Sequence, residues 1–273
     1  MMNDELIDKA LKEDIGSGDI TTRAIIPEKQ KARAVILAKE AGIIAGLSIA
    51  KEVFRQVDKR IKFSAKTKDG AWVKKGKVIA EVFGPARGIL TAERVALNFL
   101  QHLSGVATLT YKFVSRVPRT VKILDTRKTT PGLRVLEKYA VRAGGGVNHR
   151  FGLYDEILIK DNHLKLTRGV KRAVEGIRGR HKEKRAIEVE ARTIAEVKKA
   201  IKCKADKILL DNMSLVALRQ AVKLCRKAKV KTEASGGVNL GNIRQIAGTG
   251  ANAISIGALT HSAPALDLSL KVL

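Results

Sequence analysis

The sequence predicts a protein of the α/β class, in which a smaller mixed N-terminal region precedes a longer region of repeated strand–helix units. From about residue 120 onward, short β-branched runs alternate with segments whose apolar residues recur at helical spacing. The first part of the chain lacks this regular alternation. A chain of 273 residues is long enough for one large α/β domain or two smaller ones. Because strand–helix–strand crossovers are right-handed and place helices outside a parallel sheet, a barrel or a doubly wound sheet is expected.

The elements are predicted in chain order as follows. The stretches ARAVILAKEAGIIAG and AERVALNFLQHL indicate short strands, glycine-rich turns and a long helix, and we place the domain boundary near Gly105 to Pro118. The strands of the second region are predicted at Val121 to Leu124, Glu156 to Ile159, Ala186 to Glu190, Lys207 to Leu210, Lys229 to Glu233 and Ala253 to Ile256. Helical patterns lie between them, in GLRVLEKYAVRAG, RGVKRAVEGIRG, ARTIAEVKKAIKC, SLVALRQAVKLCRKA and NLGNIRQIAGTG. The last segment, SAPALDLSLKVL, is expected to pack back onto one of the two domains.

The chain is strongly basic, with 53 Lys and Arg residues against 27 Asp and Glu, a formal net charge of +26. Such an excess attracts polyanions, either nucleic acid or a highly phosphorylated metabolite. Much of it lies on helical stretches such as RGVKRAVEGIRGRHKEKR, away from the apolar positions, which is typical of a solvated surface. Aromatic residues make up only 4%, and the sequence has no zinc-finger spacing, RNP-like aromatic run or basic tail. These features argue against a nucleic-acid-binding protein.

Neither a membrane span nor a secretion signal is predicted. The longest apolar stretch, AGIIAGLSIA, is interrupted by glycines and is shorter than the roughly 20 residues that a span needs. The stretch MMNDELIDKALKED carries acids where a signal peptide would carry a basic head and an apolar run, so a cytoplasmic protein is expected. Cys203 and Cys225 lie in helical patterns without metal or redox spacing, and we interpret them as buried helix residues.

Polar or glycine clusters occur where the predicted strands end. Parallel α/β folds bind substrates at the carboxyl ends of their strands, because the loops converge there. The clusters are Asp125-Thr126-Arg127-Lys128, Lys160-Asp161-Asn162, Glu190, Asp211-Asn212, Ser235-Gly236-Gly237 and Gly257-Ala258. Clusters of both charge signs after every strand favour a binding site over solvated loops. The crowding of Arg127 and Lys128 between a strand and a turn indicates an anionic ligand.

Two charged patterns point to further contacts. In RAIEVEA, Glu188 and Glu190 share one face of a strand that would be buried on both faces, so both carboxylates need partners. We interpret Glu188 as part of a structural ion pair and Glu190, nearer the strand end, as a candidate for ligand or Mg²⁺ contact. A helix start at Thr91 would put Arg94 in the first turn, where a cation is unfavourable unless it pairs locally or helps to bind an anion.

Glycine-rich stretches accompany the remaining candidates. His149 and Arg150 follow Gly144-Gly145-Gly146, where the backbone can approach a ligand closely, although a histidine beside an arginine is more often a surface residue. The stretches EASGGV and SIGALTH supply small residues whose amides suit a terminal phosphate. SGG alone is a weak motif.

Long motifs in a fixed order resemble those of the quinolinate phosphoribosyltransferase family, also called nicotinate-nucleotide pyrophosphorylase (carboxylating). They are EDIGSGDITT, TAERVALNFLQHLSGVATLT, DTRKTTPGLRVLEKYAVRAGGGVNHRFGL, IKDNH, EVE, LLDN, ASGG and IGALTH. The resemblance implies an N-terminal open α/β sandwich domain, residues 1–108, joined by the C-terminal tail, residues 263–273. An incomplete, seven-stranded α/β barrel would occupy residues 109–262.

The implied activity is the transfer of phosphoribosyl from 5-phosphoribosyl-1-pyrophosphate (PRPP) to quinolinate with decarboxylation. The products are nicotinate mononucleotide, pyrophosphate and CO₂, the cofactor is Mg²⁺, and the reaction belongs to de novo NAD biosynthesis. The resemblance also implies a homodimer or higher homo-oligomer in which Arg94 completes the neighbouring subunit's site.

The resemblance assigns roles to individual residues. The two carboxylates of quinolinate would be held by Arg94, Thr126, Arg127, His149, Arg150 and Lys160. PRPP would contact Lys128, Glu190, Asp211, Ser235, Gly236, Gly237, Ile256, Gly257 and Ala258. Lys160, Glu190 and Asp211 would be catalytic, and the two acids would serve Mg²⁺ directly or indirectly. Guanidinium groups suit this task because they bind carboxylates bidentately.

Alternatives remain at this point. The scaffold is shared by a molybdenum-transport-associated relative and by nicotinate phosphoribosyltransferase, which handles a monocarboxylate. The cations predicted at the site are more than one carboxylate needs. Ala234 stands where some relatives carry a second serine, so a hydroxyl contact there is not assured. A non-enzymatic nucleic-acid binder is the other alternative, and it rests only on the positive charge.

Overall fold

The computed structural model describes residues 2–180 and 185–273, with side chains from Asp4 onward. The first elements are α1 (Met2–Ile15), α2 (Ile20–Ile25), β1 (Lys31–Ala38), β2 (Gly42–Ile43), α3 (Leu47–Val57), β3 (Lys62–Ala65), β4 (Trp72–Val73), β5 (Val78–Pro85) and α4 (Ala86–Val114).

The strand–helix units follow. They are β6 (Lys122–Leu124), α5 (Arg134–Ala143), β7 (Ile157–Ile159), α6 (Asp161–Leu166), α7 (Val170–Arg180), β8 (Ile187–Ala191), α8 (Ile194–Lys202), β9 (Lys207–Asp211), α9 (Leu215–Lys227), β10 (Lys231–Ser235), α10 (Ile243–Ala247), β11 (Ala253–Ser255), α11 (Ala258–His261) and β12 (Leu268–Val272).

The chain divides into two compact units, of which the first comprises Met1–Tyr111, Thr130–Gly145 and His261–Leu273. Its main sheet is antiparallel with the strand order β12-β1-β5-β3, and β2 and β4 form a second pair. The C-terminal strand β12 pairs with β1 over the register Ala34↔Val272 to Ala38↔Leu268. The tail passes so close to α4 that a Cβ added at Gly105 would lie 2.1 Å from the carbonyl oxygen of Pro264, so only glycine fits there.

The second unit comprises Lys112–Thr129 and Gly146–Thr260 and contains a parallel sheet with the order β6-β11-β10-β9-β8-β7. A single parallel bridge, Leu124↔Val147, lies on the other side of β6. The predicted α/β class and the incomplete barrel are confirmed. The predicted count of seven strands was wrong for the described residues, which form six strands and this one-residue bridge. The reason is that Val147 follows the flexible Gly144-Gly145-Gly146, and at this bridge only its own N–H and C=O pair with the backbone of β6 and Asp125.

All six strands predicted in the second region are confirmed to within two residues of each end. The largest shift, at β10, has a local cause: Lys229 adopts a φ of 58°, which cannot belong to a strand, so β10 begins at Lys231. The predicted basic helix is present as α7, whereas residues 181–184 of the same basic stretch lie outside the described residues.

The predicted start of the long helix at Thr91 was wrong. Helix α4 begins at Ala86, directly after β5, and Thr91 lies inside it. The Thr91 hydroxyl donates to Asp19 Oδ2 at 3.1 Å instead of capping a helix. Arg94 therefore lies beyond the first two turns, and the argument from the helix dipole does not apply to it. The helix ends at Val114, inside the predicted boundary region Gly105 to Pro118, and the two units divide at Tyr111/Lys112 within the same region.

Two further expectations concern membranes and cysteines. Within the part of the chain that the structure describes, no helix combines the length and the apolar character of a membrane span. The prediction of a buried helix residue is confirmed for Cys225, which lies in α9 and whose thiol pKa burial raises to about 11. It was wrong for Cys203, which is half-buried and follows the last residue of α8.

Candidate active site

The predicted residues of the second unit gather at one edge of its sheet. Because the strands are parallel, their carboxyl ends lie side by side, as the register pairs Ser235↔Asp211 and Ser255↔Leu124 illustrate. At this edge lie the residues that end the strands or follow them. Glu190 is the last residue but one of β8, Asp211 ends β9 and Ser235 ends β10. The residues that follow strands are Thr126, Arg127 and Lys128 after β6, Lys160 after β7, Gly236 and Gly237 after β10, and Ile256, Gly257 and Ala258 after β11. The prediction that these strand-end clusters lie together is thus confirmed for this unit.

The loop after β6 is tied to the loop after β11. The Lys128 N–H donates to Thr126 Oγ1 at 3.0 Å, which folds the loop into a tight turn. The Thr260 hydroxyl donates to the Lys128 carbonyl oxygen at 2.7 Å. This bond holds the backbone of Lys128, whose side chain is exposed, beside the turn that contains Gly257 and Ala258.

Arg150 is a buried cation, with only 6% of its surface exposed. Its Nη1 donates to the Glu156 carbonyl oxygen at 3.1 Å, which fixes the direction of the guanidinium. Burial, and then the charge of the nearby Arg127, lowers the pKa of Arg150. The charges of Glu188, Glu156 and Asp155 offset part of this repulsion, and an anion bound beside Arg127 and Arg150 would relieve the rest.

His149 lies in a buried group of charges that we call the inner cluster, formed by His149, Glu188, Lys207 and Glu233. The His149 side chain is 7% exposed, and its Nε2 is 3.4 Å from a carboxylate oxygen of both Glu188 and Glu233. Lys207 Nζ lies 3.3 Å from Glu188 Oε1 and also contacts Glu233 Oε2. The inferred structural ion pair of Glu188 is confirmed.

Charge balance explains the protonation of the inner cluster. Burial by itself would lower the pKa of His149, but hydrogen bonds and charges from Glu188 and Glu233 outweigh it and raise this pKa to about 9. The Arg150 N–H donates to His149 Nδ1 at 2.7 Å, a bond that only the neutral ring accepts and that protonation of Nδ1 breaks. With His149 protonated the two cations and two carboxylates cancel, whereas a neutral ring would leave an uncompensated negative charge in the protein interior. We therefore take His149 as a cation at neutral pH.

This protonation makes stability depend on pH. A histidine with a raised pKa stabilises the folded state fully below its unfolded value of about 6.5 and loses that contribution as the pH rises through about 9. The free energy of unfolding should therefore fall by up to about 3 kcal/mol over this window in the wild type, and much less in His149→Gln. Urea unfolding between pH 6 and 9.5 measures the difference. An identical pH dependence in both proteins would contradict the raised pKa.

A second group of charges lies at the strand ends, and we call Asp161, Glu190 and Asp211 the acid triad. One arginine joins them: Arg192 Nη2 is 3.2 Å from Asp161 Oδ2 and 3.2 Å from Glu190 Oε1, and its Nε is 3.2 Å from Asp211 Oδ2. Burial, and then the charges of Asp211 and Asp161, raises the pKa of Glu190. A cation is therefore favoured at this place.

The glycines after β10 allow a close approach of backbone. Gly236 has a φ of +91°, and a Cβ there would lie 2.2 Å from Oδ1 of Asn212. The Asn212 side chain in turn donates from Nδ2 to Asp211 Oδ2 at 3.1 Å. The turn after β10 is therefore coupled to one member of the acid triad.

One predicted site residue lies outside the second unit, and the sequence prediction missed several charged residues inside it. Arg94 is exposed on α4 in the first unit, so among the predicted residues it alone does not belong to the second unit. The sequence prediction missed Glu233, Lys207 and Arg192, and named Asp161 only as part of a cluster. Glu233 had a usable signal, because an acid in a buried parallel strand needs a partner, as Glu188 did. For Lys207 and Arg192 the sequence carries no such signal, because their contacts depend on strand register.

Cations and acids at the carboxyl edge of a parallel sheet place the protein among the α/β-barrel enzymes that act on anionic substrates. Comparison with known proteins narrows this class. Residues 19–104 match the family model of the quinolinate phosphoribosyl transferase N-terminal domain, and residues 106–271 match that of the C-terminal domain. The chain belongs to the quinolinate phosphoribosyltransferase family.

Individual relatives agree with this membership. The chain is 48% identical over 269 residues to a probable nicotinate-nucleotide pyrophosphorylase [carboxylating] of Bacillus subtilis, covering 98% of this chain and 92% of the relative. The nicotinate-nucleotide pyrophosphorylase structure from Francisella tularensis superposes with a TM-score of 0.93 at 41% identity, over 100% of this chain and 96% of that one. The corresponding structure from Ehrlichia chaffeensis gives a TM-score of 0.94 at 40% identity, over 98% of each chain.

Proposed function

We propose that this protein transfers the phosphoribosyl group of PRPP to quinolinate with decarboxylation, in NAD biosynthesis. The products are nicotinate mononucleotide, pyrophosphate and CO₂. The match of both family models over nearly the whole chain is the observation that carries the activity. The opposed charges at one edge of the sheet support the assignment of residues.

The cations are assigned to quinolinate. Arg127 and Arg150 form the centre of this site, because each can hold a carboxylate with two parallel hydrogen bonds. Thr126 and Lys160 lie at the ends of β6 and β7 and complete it. His149 contributes positive charge, because Glu188 and Glu233, each with a carboxylate oxygen 3.4 Å from its Nε2, raise its pKa to about 9. Arg94, exposed on α4, would serve the site of a neighbouring subunit.

PRPP is assigned to the acids and the small residues. Lys128 would meet its pyrophosphate and Glu190 and Asp211 its ribose hydroxyls, while its 5′-phosphate would lie against the residues that end β10 and follow β11. These are Ser235, Gly236, Gly237, Ile256, Gly257 and Ala258. The bond between Thr260 and the Lys128 carbonyl supports this assignment, because it keeps Lys128 beside the second half of the phosphate cradle.

Mg²⁺ fits the acid triad by the chemistry of its donors. Carboxylate oxygens are the ligands that Mg²⁺ takes, and the pKa of Glu190 is raised first by burial and then by the negative charges of Asp211 and Asp161. Glu190 and Asp211 would hold the ion directly or through PRPP. The ion would supply charge neutralisation for the leaving pyrophosphate.

The reaction needs no protein nucleophile. The lone pair of the quinolinate nitrogen bonds to the anomeric carbon of the ribose while the bond to pyrophosphate breaks and pyrophosphate departs with the electron pair. The carboxylates of Glu190 and Asp211 stabilise the positive charge that develops on the sugar. The bond to the 2-carboxylate then breaks, CO₂ leaves, and the electron pair stays on the ring carbon until a proton arrives. Lys160 is exposed at the strand end and better placed to face that charge than the buried His149.

The decisive experiment measures release of pyrophosphate and CO₂ with PRPP, Mg²⁺ and either quinolinate or nicotinate. Both products should appear with quinolinate. Turnover of nicotinate without turnover of quinolinate would overturn the choice of substrate and favour a nicotinate phosphoribosyltransferase. Salt-sensitive DNA binding that survives neutralisation of the strand-end cations, without pyrophosphate release, would favour a nucleic-acid binder.

The proposed assembly is a homodimer or a higher homo-oligomer in which Arg94 reaches a neighbouring site. The exposure of Arg94 in the first unit supports it. Light scattering of the active protein tests it, and a fully active monomer would refute it. The cytoplasm is the proposed location, and fractionation of the producing cells tests it.

Gly236→Ala should weaken PRPP binding. Its φ of +91° costs a residue with a Cβ about 1–2 kcal/mol, and the methyl group must push the Asn212 side chain away from its 2.2 Å contact. Asn212 would then lose its bond to Asp211, so we expect the KM for PRPP to rise about 10-fold. Gly241→Ala is the matched control, because the nearest atom to its Cβ is Asn239 Oδ1 at 3.2 Å and its φ is not positive. Equal KM values for the two variants would contradict the proposed cradle.

A further inference from the structure

Arg192 is the cation that the acid triad holds in the free protein. Its guanidinium lies 3.2 Å from a carboxylate oxygen of each of Asp161, Glu190 and Asp211, which come from three different strand ends. We propose that Arg192 is a built-in competitor of divalent cations at the acid triad and thereby sets the metal affinity of this site. The proposal rests on the proposed function in one respect, the assignment of Glu190 and Asp211 to Mg²⁺.

The backbone of Arg192 is fixed while its side chain can leave. Its N–H donates to Glu196 Oε2 at 2.7 Å, within the capping box of Thr193 and Glu196 that starts α8. The side chain is 52% exposed, and its contacts of 3.2 Å are longer than the roughly 2.7–2.9 Å typical of strong charge-assisted hydrogen bonds. Exposed ion pairs of this kind are weak. A tethered guanidinium can therefore swing into solvent without disturbing β8 or α8.

The charges explain why removal of Arg192 should favour a metal ion. The three carboxylates, when ionised, carry three negative charges, and Arg192 cancels one of them. A divalent ion bound to Glu190 and Asp211 would lie within a few ångströms of the guanidinium and be repelled by it. Either the arginine moves away when the ion binds, or the ion binds more weakly. Both routes reduce the measured affinity for the ion.

The spacing of the acids agrees with this interpretation. Among the described residues, His149, Glu188 and Glu233 can bring their ligand atoms within 4.8 Å of one another, whereas the acid triad does not meet this condition. The triad surrounds a guanidinium, which is larger than Mg²⁺. Its side chains must therefore close by a small movement to hold an ion in the place that the guanidinium takes in the free protein.

Titration with Mn²⁺, a probe with the same preference for oxygen ligands, tests the proposal in the absence of both substrates. Free Mn²⁺ is measured by electron paramagnetic resonance in the wild type, in Arg192→Ala and in the double variant Arg192→Ala/Asp161→Asn. We expect Arg192→Ala to bind Mn²⁺ about 10-fold more tightly than the wild type. The double variant should bind Mn²⁺ more weakly than Arg192→Ala, because one carboxylate charge is gone. Arg178→Ala is the matched control, because Arg178 is an exposed arginine of the same unit that pairs with Asp206 at 3.3 Å. It should bind Mn²⁺ like the wild type.

Unchanged or weaker Mn²⁺ binding by folded Arg192→Ala, as judged by circular dichroism, would overturn the proposal and identify Arg192 as an organiser of the acids. A tenfold gain that Arg178→Ala shares would also overturn it, because the effect would then be one of net charge. The outcome is separable from that of the proposed function. Tighter binding in Arg192→Ala together with a wild type that releases no pyrophosphate would support the competition and reject the activity.

Discussion

Lys207→Met should lower the free energy of unfolding by about 3–5 kcal/mol, because it leaves two buried carboxylates with one cation between them. Glu188 and Glu233 are 4% and 0% exposed, and Lys207 contacts both. Burial would raise the pKa of Glu233, but the hydrogen bond and charge of His149 and the charge of Lys207 lower it. Urea unfolding at pH 7 measures the loss. Lys231→Met is the control, since Lys231 lies opposite Lys207 in the register of β9 and β10 but is exposed.

The double variant Lys207→Met/Glu233→Gln separates charge balance from lost packing. Protonated His149 and ionised Glu188 then cancel, so the double variant should recover most of the stability that Lys207→Met loses. It also keeps the test valid if Lys207→Met alone does not fold. A single variant that loses less than about 1 kcal/mol, or a double variant less stable than the single one, would contradict the electrostatic account of the inner cluster.

Arg150→Ala should weaken quinolinate binding by about 2–5 kcal/mol, which corresponds to a factor of roughly 30 to several thousand. The reason is that one carboxylate of a dianion would be left in a half-buried site without its guanidinium. Arg150→Lys keeps the charge but not the planar pair of donors, so its loss should be intermediate. Calorimetric titration with quinolinate measures all three proteins.

Two controls make the Arg150 result specific. PRPP affinity should stay within about threefold of the wild type, because a general disturbance of the unit would weaken both substrates. Arg219→Ala removes an exposed arginine from α9 and should leave quinolinate binding unchanged. Unaltered quinolinate affinity in Arg150→Ala would remove this residue from the proposed carboxylate cage.

The sequence identified most of what repeats along the chain. Period-two and helical patterns located all six strands of the second unit, and strand-end clusters from Thr126 to Ala258 were found together at one edge. The capping preference of a single residue was a less reliable guide at the start of α4, where Thr91 was wrongly predicted to cap the helix. The helix begins at Ala86, directly after Pro85 ends β5, and burial of Ile89 and Ala92 within the first unit outweighs the capping preference of a threonine.

By itself the sequence determined the alternation of strands and helices, the polar and glycine clusters at the strand ends, and the need of Glu188 for a partner, because each of these follows from the order of residues within one segment. Only the tertiary structure decided which charges meet. Lys207 joins Glu188 to Glu233 across three strands, and Arg192 joins Asp161 to Asp211 across the ends of β7, β8 and β9. These pairs are remote in the chain and depend on strand order and register. A shift of one residue in the register would turn the same side chains to the opposite face of the sheet.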